Sequence, residues 1–472
     1  MGKFFIKYRS GIIVVAAFLL VRILVLVTFW QASQNKGGWN NFYNWAQSAP
    51  QVLLGKFHEI CDWHPPLYYT FTSSILFLFK SQWFIYFFQL LLSLVTLWLV
   101  YKITRLFFSH KVSYIIALII AVEPFWAWHN WLLVSENLFI PLLLAGFYLF
   151  FRFIKIGLSR NLNLAALFFG LATLTRLNSL FLTVFLSFLV MLLYILRFRL
   201  QLSFLPNVGW KRLVSDLFIF NLIFFAVLTP WFIRNKIVYD RFTFANIVST
   251  NYYYYNLPPL IALQKNISYN EALKSVENRA QESLGKNVGS QGNCQVFTKE
   301  EFNRQLDFYG DEAKKEILAN FVPYLKIHLI KAIPYFFQSG YFDMYSAYSG
   351  EYSKPDITSA ILKGDLNGIM QFFSAINLKL IIYLFEVAFW GLSSLAVFLA
   401  PIYAYFKDKE KFIFFIVGAA VIIFSALLTS PFVLVRYRLP NYIFFFISLV
   451  YILNVIISAI KNHEQKIIKK DN

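Results

Sequence analysis

Apolar runs long enough to cross a bilayer recur along most of the chain, parted by short polar intervals. They fall near 11–31, 83–103, 112–128, 137–153, 162–175, 179–196, 214–233, 378–405, 411–429 and 440–460. A hydrocarbon core of about 30 Å takes roughly 20 apolar residues to span as a helix, so the pattern predicts about ten transmembrane helices. The 162–175 run is short and needs a tight neighbour or a thin stretch of bilayer. The first run, "GIIVVAAFLLVRILVLVTFW", lacks a small-residue exit and reads as a retained helix.

One further run, "LYYTFTSSILFLF" at 67–79, rises only about 20 Å as a helix, which suits a helix lying at the membrane surface. Basic residues test that choice, because short cytoplasmic segments are enriched in Lys and Arg. With the N-terminus (Lys3, Lys7, Arg9) inside and 67–79 not counted, every inner segment is basic. These segments hold Lys102, Arg105 and Lys111; Arg152, Lys155 and Arg160; Arg197, Arg199, Lys211 and Arg212; Lys407, Lys409 and Lys411; and Lys461 onward. Counting 67–79 as a span places most of these clusters outside. Both termini are therefore expected in the cytoplasm. The chain divides into a transmembrane module at 1–235 with a first outer loop at 32–82, an extracytoplasmic domain at 236–376, and further spans and a tail at 377–472.

Composition agrees with an all-α polytopic membrane protein. Of 472 residues, 58% are hydrophobic and 14% charged, against about 25% charged in soluble chains. The net charge of +19 lies in the short inner segments, while 236–368 balances 14 acids against 14 Lys and Arg. The excess is therefore a topological signal, and no nucleic-acid partner is expected.

Once the topology is drawn, the charges that break it become informative. Arg176, Arg234, Arg436 and Arg438 fall at the outer ends of three spans, and guanidinium groups bind phosphate oxygens in pairs. Asp62 in the first outer loop and Glu136 at the start of a span lie near the same level. Arg22, Glu123 and Glu386 lie within spans, where an ionised group costs about 2.5–3.5 kcal/mol, so Arg22 is expected to pair with one of the two acids. A cationic patch with a carboxylate at the lipid–water boundary could hold a lipid-linked phosphosugar. The carboxylate would take a proton from an acceptor hydroxyl, and the arginines would stabilise the departing phosphate. No D-x-D, H-E-x-x-H or C-x-x-C pattern appears, so neither a metal nor another cofactor is expected.

The motifs resemble the glycosyltransferase C superfamily, in its protein O-mannosyltransferase and aminoarabinose transferase branch. The resemblance rests on "HPPLYY" (64–69), "LVYKITRLFFSHKVSYIIALIIAVEPF", "LVSENLFIPLLLAGFYLFFR", "GLATLTRLNSLFL", "TPWFIRN" and "RYRLPNY", in that order. It implies a polyprenyl-phosphate sugar donor, an active site at the extracytoplasmic face with juxtamembrane helices in the first outer loop, and inversion at the anomeric carbon. "HPPLYY" would then line the site, with Tyr68 and Tyr69 against substrate. Members commonly carry an acid early in the first loop, four residues before a tyrosine. Here "GGWNNFYNWAQ" has Trp39 at that offset from Tyr43, with Asn40 and Asn41 beside it. Asp62 is the replacement expected as base and Glu136 the next, while Asn40, Asn41 and Tyr43 would bind substrate. Arg436, Arg438, Arg234 and Arg176 would hold the donor phosphate. His64 would join them or cap the aromatic floor. The tyrosines of "NYYYYN" (251–256) read as an interfacial belt or a sugar-stacking surface. Cys61 and Cys294 are either two thiols or a disulfide joining the first loop to the outer domain. The acceptor is left open among protein, lipid and envelope glycan. The competing readings are a lipid-linked sugar flippase, and an envelope polysaccharide polymerase or ligase using a diphosphate-linked donor.

Overall fold

A computed structural model of the protein describes residues 2–35, 65–203, 205–285, 298–341, 343–344, 366–367, 370 and 378–468. Asn40, Asn41, Tyr43, Cys61, Asp62, His64 and Cys294 lie outside the described residues. The described elements are all helical. The membrane part comprises α1 (Gly2–Asn35), α2 (Leu67–Phe79), α3 (Trp83–Phe107), α4 (His110–Val122), α5 (Pro124–His129), α6 (Glu136–Ile156), α7 (Ser159–Thr173), α8 (Leu182–Leu196) and α9 (Trp210–Tyr239). An outer segment follows with α10 (Ile247–Asn251), α11 (Leu257–Lys265), α12 (Tyr269–Leu284), α13 (Lys299–Ala319), α14 (Phe321–Ala332) and α15 (Pro334–Phe337). The last three long helices are α16 (Leu378–Lys407), α17 (Lys409–Thr429) and α18 (Tyr442–Ile468), with a 3-10 turn over Val435–Asn441 before α18.

Eight helices among the described residues are long and apolar enough to cross a membrane. The two remaining expected positions hold α4 and α7, of 13 and 15 residues. The run at 112–128 is not one helix. Proline at 124 offers no N–H and disfavours helical backbone at the residue before it, so α4 stops and Glu123 turns extended (ψ 118°). The Glu123 carboxylate then accepts the Trp126 N–H at 2.5 Å and starts α5. Arg22 therefore does not pair with Glu123 as expected. Its Nε donates to Asn130 Oδ1 at 2.9 Å, Nη1 donates to the Ala121 carbonyl, and the guanidinium stacks 3.8 Å from the Phe18 ring centre.

Helix α7 rises only about 22 Å and is held between α6 and α9 by small residues. Ala165, Ala166 and Ala172 are buried. A Cβ at Gly146 of α6 would stand 2.5 Å from the Phe169 ring, and one at Gly170 would stand 2.9 Å from Val227 of α9. Gly157 ends α6 at φ +73°, a left-handed conformation that side chains resist.

The two ends of the bundle differ. At one, Lys155 of α6 meets Glu410 of α17 at 2.5 Å, and Lys411 meets Asp408 at 2.5 Å. At the other, polar side chains satisfy broken backbone. Asn137 Nδ2 donates to the His129 and Leu132 carbonyls, and Gln89 Nε2 to those of Asn130 and Leu132. Beyond this end, α10–α13 form a module with its own core of Tyr253, Tyr254, Leu257, Ile261, Val276 and Tyr309. The "NYYYYN" tyrosines are thus divided, against the expected belt: Tyr253 and Tyr254 are core, Tyr255 stacks on Phe432 at 4.3 Å, and Tyr252 is exposed.

The close approach at Gly146 gives a direct test. Gly146→Ala should cost about 1–3 kcal/mol by overpacking and lower the melting temperature of the purified protein. Gly209→Ala, where an added Cβ meets nothing within 4 Å, should leave it unchanged. Equal melting temperatures for the two variants would contradict this packing.

Candidate active site

The turn before α6 brings Ser135 and Glu136 to the end of the bundle opposite Lys155 and Glu410, α7 ends two residues before Thr175–Arg176, and the 3-10 turn at Val435–Asn441 carries "RYRLPN" past both. Glu136 is 1% exposed. Its Oε1 lies 2.7 Å from Arg176 Nη1 and 3.6 Å from Arg436 Nε. Arg176 Nη1 also donates to Ser135 Oγ at 3.0 Å. The Tyr437 ring centre lies 5.5 Å from the Arg176 guanidinium carbon and 5.7 Å from that of Arg436, so both cations border one aromatic face. Two guanidinium groups thus share one carboxylate. Within this cluster, Glu136 Oε2 and Arg436 Nε are buried without a hydrogen-bond partner among the described residues.

The start of α2 docks here as well. The Leu67 N–H donates to the Leu174 carbonyl at 2.8 Å, which fixes the end of "HPPLYY" beside Arg176. Tyr69 lies within electrostatic reach of Arg176, and Tyr68 of Glu136. Tyr68 is buried, and its hydroxyl donates to Gln89 Oε1 at 2.8 Å.

The expected cluster of four arginines resolves into three roles. Arg176 and Arg436 converge. Arg438 turns the other way: Nη1 and Nη2 donate to the Tyr335 and Gln338 carbonyls at 3.1 and 2.6 Å, and the guanidinium stacks 3.6 Å from the Trp390 ring centre. A 3-10 turn has three residues per turn, so positions two apart point to different sides, and the backbone geometry spends Arg438 on structure. The Arg234 guanidinium lies over the Trp231 and Tyr239 rings of its own helix, at 4.7 and 5.1 Å. Glu386 likewise serves backbone, accepting the Gly340 and Tyr341 N–H groups at 3.2 and 2.9 Å and the Ser339 hydroxyl.

Two participants had no signal of their own in the sequence. Tyr437 sits between two arginines that drew attention first. Asp343, in "YFDMY", lies within electrostatic reach of Arg436 and His129, although nothing in its spacing marks it. Among the described residues no group of three or more His, Cys, Asp or Glu could hold a metal ion.

Residues 63–207 match a family model described as dolichyl-phosphate-mannose-protein mannosyltransferase. Over that segment the chain is similar to this family. The segment includes the ends of α2, α6 and α7 that carry Tyr69, Glu136 and Arg176, and it covers less than half of the chain. A search of curated proteins finds no match. A solved structure with a similar arrangement is the archaeal oligosaccharyltransferase AglB from Archaeoglobus fulgidus, in complex with an inhibitory peptide and a dolichol-phosphate. It shares 11% identity at a TM-score of 0.47, over 97% of this chain and 52% of that one. The chain thus spans about half the length of that protein.

Removing one partner of a buried ion pair typically costs about 3–5 kcal/mol, because the other charge is stranded. Glu136→Gln should therefore lower the melting temperature markedly. Adding Arg436→Gln to Glu136→Gln should recover part of the loss by removing the repulsion. Additive losses in the double variant would show that the three groups do not act as a unit.

Proposed function

We propose that the protein is a membrane glycosyltransferase that moves a sugar from a polyprenyl-phosphate donor to an acceptor hydroxyl on the extracytoplasmic face, with both termini in the cytoplasm. The observation that carries this reading is the Glu136–Arg176–Arg436 cluster, in which two guanidinium groups converge on one buried carboxylate beside Tyr437. The family match over residues 63–207 supports the same chemistry. A small cavity lined by Phe139, Leu143, Leu182, Phe424, Tyr437 and Asn441 shares Tyr437 with this cluster. The solved AglB structure was determined with a dolichol-phosphate bound, a lipid phosphate like that of the proposed donor.

In the proposed reaction the acceptor oxygen attacks the anomeric carbon as the bond to the phosphate oxygen breaks. The acceptor proton passes to a carboxylate, and the lipid phosphate leaves with an added negative charge that Arg176 and Arg436 stabilise. Attack from the face opposite the phosphate inverts the anomeric centre. Glu136 is committed to the two guanidinium groups, which makes it their holder rather than the base. Asp62 is the proposed base.

Purified protein reconstituted with radiolabelled polyprenyl-phosphate sugars should transfer label, and Asp62→Asn should abolish transfer while leaving donor binding intact. Arg436→Gln should weaken donor binding about tenfold or more, as expected for a charged hydrogen bond worth about 1.5–3 kcal/mol. Turnover retained by Asp62→Asn would remove that residue as base. Transfer only from diphosphate-linked donors would replace this reading with an envelope polymerase.

A further inference from the structure

Helix α14 and the short α15 carry a ridge that is exposed among the described residues. Phe321, Leu325, Leu329, Ile333 and Phe337 recur every fourth residue, with Val322 beside them, and are between 41% and 74% exposed. The opposite face is docked on the bundle. His328 Nε2 pairs with the Leu427 carbonyl of α17 at 2.8 Å, and Ser430 Oγ donates to the His328 carbonyl at 2.5 Å. Further on, Ser394 Oγ of α16 donates to the Phe336 carbonyl at 2.9 Å.

These contacts fix a depth. The Lys155–Glu410 pair marks the basic end of the bundle. Leu427 lies about 26 Å along α17 from Glu410, and Ser394 about 20 Å along α16 from Lys407, at 1.5 Å per residue. A hydrocarbon core is about 30 Å thick, so the chain from His328 to Phe336 descends inside it. Backbone satisfaction points the same way. Where the helix breaks after Phe337, Arg438 takes the Tyr335 and Gln338 carbonyls, and Glu386 takes the Gly340 and Tyr341 N–H groups. Irregular backbone at membrane depth is tolerated only when the protein itself supplies such partners.

We infer that residues 321–341 form a re-entrant segment that dips into the outer leaflet, with the Phe321–Phe337 ridge in contact with lipid acyl chains. The occupant of this surface is the bilayer itself. Lys326, near the outer end of α14, is long enough to carry its ammonium up to the interface. The segment stands apart from the proposed reaction, yet Arg438 ties it to the turn that presents Arg436. Seating in the leaflet therefore helps set the height of that turn.

The test uses full-length protein carrying Cys61→Ser and Cys294→Ser, in nanodiscs, with single cysteines bearing a bimane label. Leu325→Cys, Leu329→Cys and Ile333→Cys are compared with Phe218→Cys on the exposed face of α9 and Lys314→Cys on the exposed face of α13. Lipids brominated deep in the acyl chain should quench labels at 329 and 333 as strongly as at 218, and more strongly than at 325. Aqueous iodide should quench these labels at least fivefold less than at 314. Iodide quenching equal to that at 314 would overturn the inference, since the ridge would then face water. Quenching by neither agent would overturn it too, by placing a second protein surface on the ridge. Equal bromine quenching at 325 and 333 would mean a segment lying flat, which also contradicts a re-entrant path.

Discussion

Inside a bilayer each backbone N–H and C=O needs a partner supplied by the protein, because no water stands ready to take its place. The outer half of this bundle breaks that regularity repeatedly: after Val122, between His129 and Glu136, and between Phe337 and Tyr341. Each break is repaired by a polar side chain reaching from elsewhere. Glu123 caps α5, Asn137 and Gln89 hold the 129–132 carbonyls, and Arg438 and Glu386 close the turn after α15. Much of the intramembrane polarity of the chain is therefore structural repair. This accounts for the costly ionisable groups in the spans without giving each of them a role in chemistry.

That constraint separates the cluster around Glu136 from the rest. Here the charged groups meet one another rather than backbone, with Arg176 and Arg436 converging on Glu136. A buried carboxylate holding two guanidinium groups is an expensive arrangement if its purpose is stability, since apolar residues of similar volume often serve as well. It is a reasonable one if the guanidinium groups must be held apart, oriented and short of full neutralisation, as an anion site requires. The breaks in α4–α5 and before α6 serve the same end, because an uninterrupted helix over 112–128 would not place the Asn130–Asn137 linkage beneath Glu136.

Much of this architecture was readable from periodicity alone. Eight of the apolar runs are long helices, and α2 has the 13-residue length that set it apart from the spans. Less readable was the fate of individual ionic side chains, since hydropathy reports the cost of burying a charge and not the group that offsets it. Arg22 illustrates the limit. A carboxylate was the natural expectation, and the structure supplies an asparagine, a carbonyl and an aromatic face instead. Such partial contacts leave no pattern along the sequence. The segment at 321–341 hid for a related reason. Its apolar residues are spaced by four within a stretch of outer chain that is otherwise polar, too short for a span.

The arginines of "RYR" carry the point furthest. In an α-helix or a strand their relative directions could be argued from spacing, but a 3-10 turn of seven residues ending at Asn441 has no strong sequence mark of its own. The turn sends Arg436 toward Glu136 and Arg438 toward the carbonyls of α15. One motif thus performs two tasks on opposite sides of a single backbone. Arg438 anchors the turn by its main-chain contacts and its stacking on Trp390, while Arg436, two residues earlier on the same turn, stands 3.6 Å from the Glu136 carboxylate.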